Sequence, residues 1–320
     1  MARVVVTGAA GFVGSHLSEH LLCGGHEVVG VDAFTRFYAR RAKERNLAAL
    51  HEAPGFTLHE RNVLAGGLAG SLDGADAVCH LAGRPGVRGG SEAAFEADNV
   101  RATAALVRAA AWAGVTRVVL ASSSSVYGPA EGPVTEDAPL APLSPYGRSK
   151  QRAELVAAQL AEQLGIELVR LRYFTVYGPR QRPDMAFARF AAAALDGESM
   201  ALLGDGGQRR DFTYVTDACE ATALALERGR PGAVYNVAGG RSVALAEAFA
   251  LLGERLGREP AFDRRVADRR EPRATEADLT RAATDLGWRP RVGLAEGIER
   301  QLEHAAAGLA GPAAGLAGAV

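Results

Sequence analysis

The stretch RVVVTGAAGFVG, residues 3–14, decides the fold. Three consecutive valines make a short strand, and the chain then turns through glycines into a helical pattern. In such a turn one glycine permits the tight bend, a second lets the backbone approach a pyrophosphate, and a third lets helix and strand pack closely. The helix N-terminus offers free N–H groups and the positive end of its dipole to the phosphates. A second strand closes on Asp32, 24 residues after Gly8. A carboxylate there accepts hydrogen bonds from adenosine ribose hydroxyls and repels a 2′-phosphate, which favours NAD over NADP. Arg36, four residues further on, is placed to offset that repulsion.

Outward from this turn, short β-branched runs at 3–7, 27–32, 56–61, 77–81, 117–122 and 167–172 read as strands. Apolar residues at three- and four-residue spacing read as helices at 14–22, 41–51, 95–113 and 149–164. Alternation of this kind predicts an α/β fold, a Rossmann-type doubly wound parallel sheet with helices on both faces. Residues 1–174 form the expected NAD-binding domain. After Thr175 the pattern becomes irregular: YGPRQRPD (177–184) is followed by a helix at 185–195 and short mixed elements. This predicts a smaller, mixed α/β substrate domain over 175–302, with one return to the first domain near 213–228. Residues 303–320, rich in alanine and glycine and broken by Pro312, are expected to be a flexible tail.

Composition removes several classes of function. The 36 Lys+Arg against 37 Asp+Glu give a net charge of −1, without the basic surplus of a nucleic-acid binder. No apolar run is long enough to span a membrane. Cys23, Cys79 and Cys219 are odd in number and widely spaced, which fits a reducing cytoplasm and neither a disulfide framework nor a zinc site. His16 and His20 share a helix face without the order of a metal motif, so no metal is expected. The opening MARVVVTGAAG reads as a first strand and not as a signal peptide.

Tyr146 and Lys150 lie four residues apart at a helix start, on one face. A phenol near pKa 10 is a poor base at neutral pH, and a neighbouring ammonium plus a positive nicotinamide would favour the phenolate. The serine run 122–125 follows a strand and supplies hydroxyls beside that pair. Ser123 is the expected proton relay, and Ser124 and Ser125 line the expected substrate pocket.

Together these residues resemble the extended short-chain dehydrogenase/reductases, specifically the nucleotide-sugar epimerases and dehydratases. The resemblance covers about residues 3–302 and rests on TGAAGFVG, HLAG (80–83), Asn99, SSSSVYG (122–128), SPYGRSK (144–150), LRYFTVYGP (171–179) and RRDFTYV (209–215). GRPGVR (83–88), FTVYGPRQRPDMA (174–186) and AFTRFY (33–38) resemble the UDP-glucuronate 4-epimerase branch. The resemblance implies that Gly8, Gly11, Phe12, Val13, Asp32, Asn62, Val63, Leu81, Ala82, Gly83, Asn99, Tyr146, Lys150 and Tyr173 hold NAD. It implies that a UDP-sugar meets Arg88, Ser123, Ser124, Ser125, Tyr146, Thr175, Arg182, Met185, Arg189, Arg210 and Arg269, with Arg270 the alternative to the last. It also implies a homodimer through the helices at 95–113 and 149–164.

Departures from the family pattern bear on specificity. Related 4,6-dehydratases carry an Asp-Glu pair, and related decarboxylases a glutamate, where this chain has Ser124 and Ser125. A serine without a partner is no general base, so elimination is disfavoured and reversible redox at C4 remains. Arg180 and Gln181 replace an aromatic and a glycine, an expected adjustment of pocket width. The resulting expectation is C4 epimerisation of UDP-glucuronate to UDP-galacturonate. UDP-glucose 4-epimerase, UDP-glucuronate decarboxylase and a non-catalytic NAD-binding protein are the alternatives, and dTDP is the alternative nucleotide.

Overall fold

The computed structural model describes residues 1–86, 90–196, 198–257, 261–266 and 272–310. Seven parallel strands form the central sheet: β1 Arg3–Thr7, β2 Glu27–Asp32, β3 Phe56–Glu60, β4 Ala77–His80, β5 Arg117–Ser123, β6 Glu167–Tyr173 and β7 Val234–Val237. Their order across the sheet is β7-β6-β5-β4-β1-β2-β3. The chain winds outward from β1 to β3, then reverses and places β4 on the other side of β1. Ligands of such sheets bind at that switch point, beyond the carboxyl ends of the strands.

Both faces of the sheet are buried, which explains the unbroken valine runs. Val4 and Val6 point into one apolar cluster and Val5 into the other, as the two-residue period of a strand requires. The first cluster is covered by α1 (Phe12–Cys23), the second by α3 (Ala102–Trp112) and α4 (Pro145–Leu164), while α2 (Arg40–His51) flanks β2 and β3. The helix expected from residue 95 begins at Glu92 and contains a π-helical turn, Glu96–Arg101, before α3. Such turns concentrate at functional sites.

The later half adds α5 (Ala186–Asp196), α6 (Val215–Arg228), α7 (Leu245–Leu256) and α8 (Leu294–Ala310). Here α6 packs on α1, and β7, which the sequence did not disclose, pairs with β6. Tyr177, Phe187, Phe212 and Phe249 continue the first cluster into this half, with the Phe187 and Phe212 rings 4.9 Å apart. The expectation of a tail from residue 303 needs correction, because α8 runs on to Ala310. Its alanines are strong helix formers, Leu302 is buried, and one glycine costs only about 1 kcal/mol. Residues beyond 310 lie outside the described residues.

One polar network locks α4 to the sheet. Glu154, 2% exposed, accepts two hydrogen bonds from Arg172 of β6, 4% exposed, at 3.0 and 2.8 Å. The Ser122 hydroxyl at the end of β5 donates to the same carboxylate. Arg172 also donates to the Tyr127 hydroxyl at 3.0 Å and to the Glu136 carbonyl at 2.9 Å. Removing one partner of such a pair strands the other charge in the interior. Arg172→Met should therefore lower unfolding stability by about 3–5 kcal/mol, read from denaturant midpoints. A loss below about 1 kcal/mol, the worth of a surface pair, would contradict this account.

Candidate active site

The phosphate turn is built by close approach. Gly8 has a φ of 76°, and a Cβ there would lie 3.0 Å from the Ala82 nitrogen. A Cβ on Gly14 would run into the Gly8 carbonyl. Gly11 is the N-cap of α1 and makes no side-chain cap, so among the described residues the first N–H groups of the helix, at Phe12 and Val13, are not taken up by a capping side chain.

Asp32 ends β2 beside this turn. Its Oδ2 accepts from the Ala10 N–H at 3.2 Å, and its Oδ1 accepts from the Phe34 N–H at 2.7 Å and from Lys43 Nζ at 3.1 Å. Asn46, one turn beyond Lys43 on α2, donates to the Ala10 carbonyl at 3.0 Å. Neither Lys43 nor Asn46 was singled out in the sequence, although their i,i+3 spacing beside Leu47 and Leu50 marks the buried face of α2. Val63 is buried near this end, while Asn62 is exposed and caps its own turn through the Leu64 N–H.

Beyond β4 the segment Leu81, Ala82, Gly83 passes against Thr7 and Asn99. The Thr7 hydroxyl accepts from the Ala82 N–H at 3.1 Å and lies 2.7 Å from His80 Nδ1. Burial first, and the charge of Lys150 second, lower His80 to about 3, so its ring is neutral. The Asn99 side chain is fully engaged: Oδ1 accepts from the Arg84 N–H, and Nδ2 donates to the Arg84 carbonyl and to Ser149. It ties this segment to α4, and a Cβ on Gly83 would lie only 2.8 Å from Asn99 Oδ1 and 3.6 Å from Lys150 Nζ.

Tyr146 and Lys150 lie in the first turns of α4. Ser144 caps that helix by accepting from the Gly147 N–H at 3.0 Å, and Pro145 occupies the first position. A Cβ on Gly147 would meet the Ser125 carbonyl, so this glycine lets the tyrosine turn sit against the serine turn. Burial raises the Tyr146 phenol above its usual value, while a hydrogen bond with Ser123 and the charge of Arg182 oppose that shift. Lys150 donates to the Ala121 carbonyl at 2.9 Å and is lowered by burial to about 8, against the raising effect of Glu154. Ser123 also accepts from the Ser125 N–H at 3.2 Å. Ser124 lines a small cavity of about 10 Å³ together with Phe174, Thr275 and Glu276, the last two unforeseen in the sequence.

The remaining expected residues scatter more widely. The Tyr173 hydroxyl bonds Thr222 at 2.6 Å, and Thr175 follows on the same segment, its carbonyl accepting from the Thr213 N–H. The Arg182 fork is held by Asp184 at 3.0 and 2.9 Å and lies 5.5 Å from the Phe37 ring centroid. Met185 is partly buried against the apolar core, Arg189 is exposed on α5, and Arg210 is nearly buried and donates to the Arg209 carbonyl. Arg88, Arg269 and Arg270 lie outside the described residues. The expectation that Arg180 and Gln181 adjust pocket width needs correction. Arg180 pairs with Glu19 of α1 at 2.7 Å, and Gln181 bonds Ala188, Val176 and Gln301.

A model of the NAD dependent epimerase/dehydratase family matches residues 4–238. The chain belongs to this family. Its members use NAD, and the uncapped α1 N-terminus and the backbone contact at Gly8 fit that cofactor. The uncharacterised UDP-glucose epimerase YtcB of Bacillus subtilis (strain 168) is 38% identical over 94% of this chain and 97% of its own. The dTDP-glucose 4,6-dehydratase of Streptomyces griseus is 35% identical, covering 92% of both chains. A crystal structure of the Bacillus cereus UDP-glucuronic acid 4-epimerase with UDP-glucuronic acid and NAD is 36% identical, with a TM-score of 0.92 over 95% of this chain and 99% of the other. Three activities at similar identity leave the reaction to be read from the side chains at the site.

Of these, Ser123 allows a sharp test. Its hydrogen bond favours the Tyr146 phenolate, so its loss raises the phenol further and the rise in activity with pH should move to higher pH. Ser123→Ala should also lower kcat by about a hundredfold. A pH–rate profile with an unmoved rising limb would show that Ser123 does not act on Tyr146.

Proposed function

We propose that the protein is an NAD-dependent UDP-sugar 4-epimerase that interconverts UDP-glucuronate and UDP-galacturonate. The observation that carries this reading is Ser123 beside Tyr146, opposing the rise that burial imposes on the phenol, with serines and no carboxylate at 124 and 125. Tyr146 takes the proton of the sugar C4 hydroxyl, directly or through Ser123, and returns it after inversion. Bound NAD would supply the hydride acceptor and donor that C4 inversion needs, and a positive charge that favours the phenolate. Lys150 adds a second cation on the same helix face, kept in place by the Ala121 carbonyl. Gly8, Gly11, Phe12 and Val13 would receive the pyrophosphate, Asp32 the adenosine ribose, and Val63 with Asn62 the adenine side. Leu81, Ala82, Gly83 and Tyr173 would border the cofactor, with Asn99 bracing them.

A 4-keto uronic acid is a β-keto acid and loses CO₂ when its carboxylate can turn perpendicular to the ketone. Ser124, Ser125 and Thr175 would hold the carboxylate out of that orientation. Arg210 and Arg182 would meet the diphosphate side, Arg182 by exchanging Asp184 for phosphate oxygens. Met185 and Arg189 border the same side. UDP-glucose is the second substrate to consider, because a hydroxyl-lined pocket also accepts a neutral hydroxymethyl and a UDP-glucose 4-epimerase is among the relatives.

The reading includes a homodimer. Trp112 at the end of α3 is 86% exposed, Leu155 on α4 is 56% exposed, and burying both between two copies would remove that apolar surface from water. It also includes the cytoplasm, supported by three free cysteines. Among the described residues no helix is long and apolar enough to cross a membrane.

Proton NMR of the sugar region tests the function, with purified protein and UDP-glucuronate and no added cofactor. UDP-galacturonate should grow in to a steady ratio. A pentose as the main product would make the protein a decarboxylase, and conversion of UDP-glucose alone would move the substrate to neutral hexoses.

A further inference from the structure

Around Asp32 the charges are arranged differently from what the sequence alone suggests. The carboxylate does not face the cofactor site as a lone anion, because Lys43 Nζ lies 3.1 Å from its Oδ1 and both side chains are only 7% exposed. Oδ1 is saturated by Lys43 and the Phe34 N–H, whereas among the described residues Oδ2 has a single donor, the Ala10 N–H at 3.2 Å. A carboxylate oxygen accepts about two hydrogen bonds, so the spare capacity is on Oδ2, the oxygen tied to the phosphate turn.

The surroundings make Lys43 a fixed charge. Its ammonium lies 5.8 Å from the Phe34 ring centroid and 5.3 Å from that of Tyr38. Phe34 has a φ of 46°, an uncommon conformation for an aromatic residue, stabilised by its N–H bond to Asp32. From the next turn of α2, Asn46 grips the Ala10 carbonyl, and Ala10 in turn donates to Asp32. One helix face therefore sets both the carboxylate and the turn that would receive the pyrophosphate.

We propose that Lys43 is a specificity-determining residue for the cofactor's adenosine ribose: it orients Asp32 so that Oδ2 accepts a ribose hydroxyl, and it is a latent counter-charge for a 2′-phosphate. The proposal rests on the reading of Asp32 as the ribose acceptor. With the ammonium beside it, the carboxylate has little net charge left to repel a phosphate. Rejection of NADP then comes from an acceptor-only oxygen facing the ribose. Replacing Asp32 by a small neutral residue uncovers a buried cation already held at that place.

Titration of the full-length protein with NADH and NADPH, followed by nicotinamide fluorescence, tests this without turnover. Lys43→Met should weaken NADH binding by about tenfold, the size of a lost charge-assisted hydrogen bond. Asp32→Ser should weaken NADH and bind NADPH at least about tenfold more tightly than the wild type. The double variant Asp32→Ser/Lys43→Met should lose that gain, and it buries no unpaired charge, so it remains informative if Lys43→Met does not fold. Equal NADPH affinity in Asp32→Ser and the double variant would overturn the role of Lys43, as would wild-type NADH affinity in Lys43→Met. Unchanged NADH binding in Asp32→Ser would instead overturn the reading of Asp32.

Discussion

A buried carboxylate–guanidinium pair, Glu154 with Arg172, is the constraint on which the site depends. The pair joins α4 to β6, and Ser122 extends the junction to β5. Tyr146 and Lys150 precede Glu154 on the same helix, two turns and one turn away respectively. Because Tyr127 and the Glu136 carbonyl also bind Arg172, the loop after β5 is fixed by the same group. The distance between serine turn and tyrosine turn is thus set by charged groups in the interior. Gly147, with no Cβ to strike Ser125, permits the final approach.

The chemistry of the site follows from how it treats charge. Burial holds the Tyr146 phenol neutral and makes Lys150 easier to deprotonate. The interaction with Ser123 and the charge of Arg182 work the other way. In the proposed reaction, a tyrosine so balanced would become a base when further positive charge is brought over it, which would couple proton removal to cofactor binding. At the end of β2 the same principle appears in reverse: Asp32 keeps its place in the interior by sharing it with Lys43.

Much of this was legible in the sequence because the relevant residues sit at strand ends. Strands β1 to β6 were all foreseen, and Gly8, Asp32 and Ser123 follow or close them. Strand β7 was not, since its four residues occur in an irregular region and only pairing with β6 makes them a strand. Arg180 and Gln181 were misread for a related reason. Their motif lies beside the site, yet their side chains turn to Glu19 and Gln301, and that direction has no signature in spacing. Lys43 escaped notice because a lysine on a helix normally reads as solvated, and only the tertiary position of Asp32 buries it. The glycines and Pro312 of the tail signal fraying, yet the alanines between Leu302 and Ala310 carry α8 on to Ala310.

The central claim is that chemistry occurs only at C4, by redox, without removal of the C5 proton that elimination requires. Running the reaction on UDP-glucuronate in D₂O and reading deuterium in the recovered sugars tests it directly. The account requires inverted product with no deuterium on carbon, since the C4 hydrogen travels as hydride and returns. Deuterium at C5 would contradict it, because some group at the site would then be acting as a carbon base that Ser124 and Ser125 cannot supply.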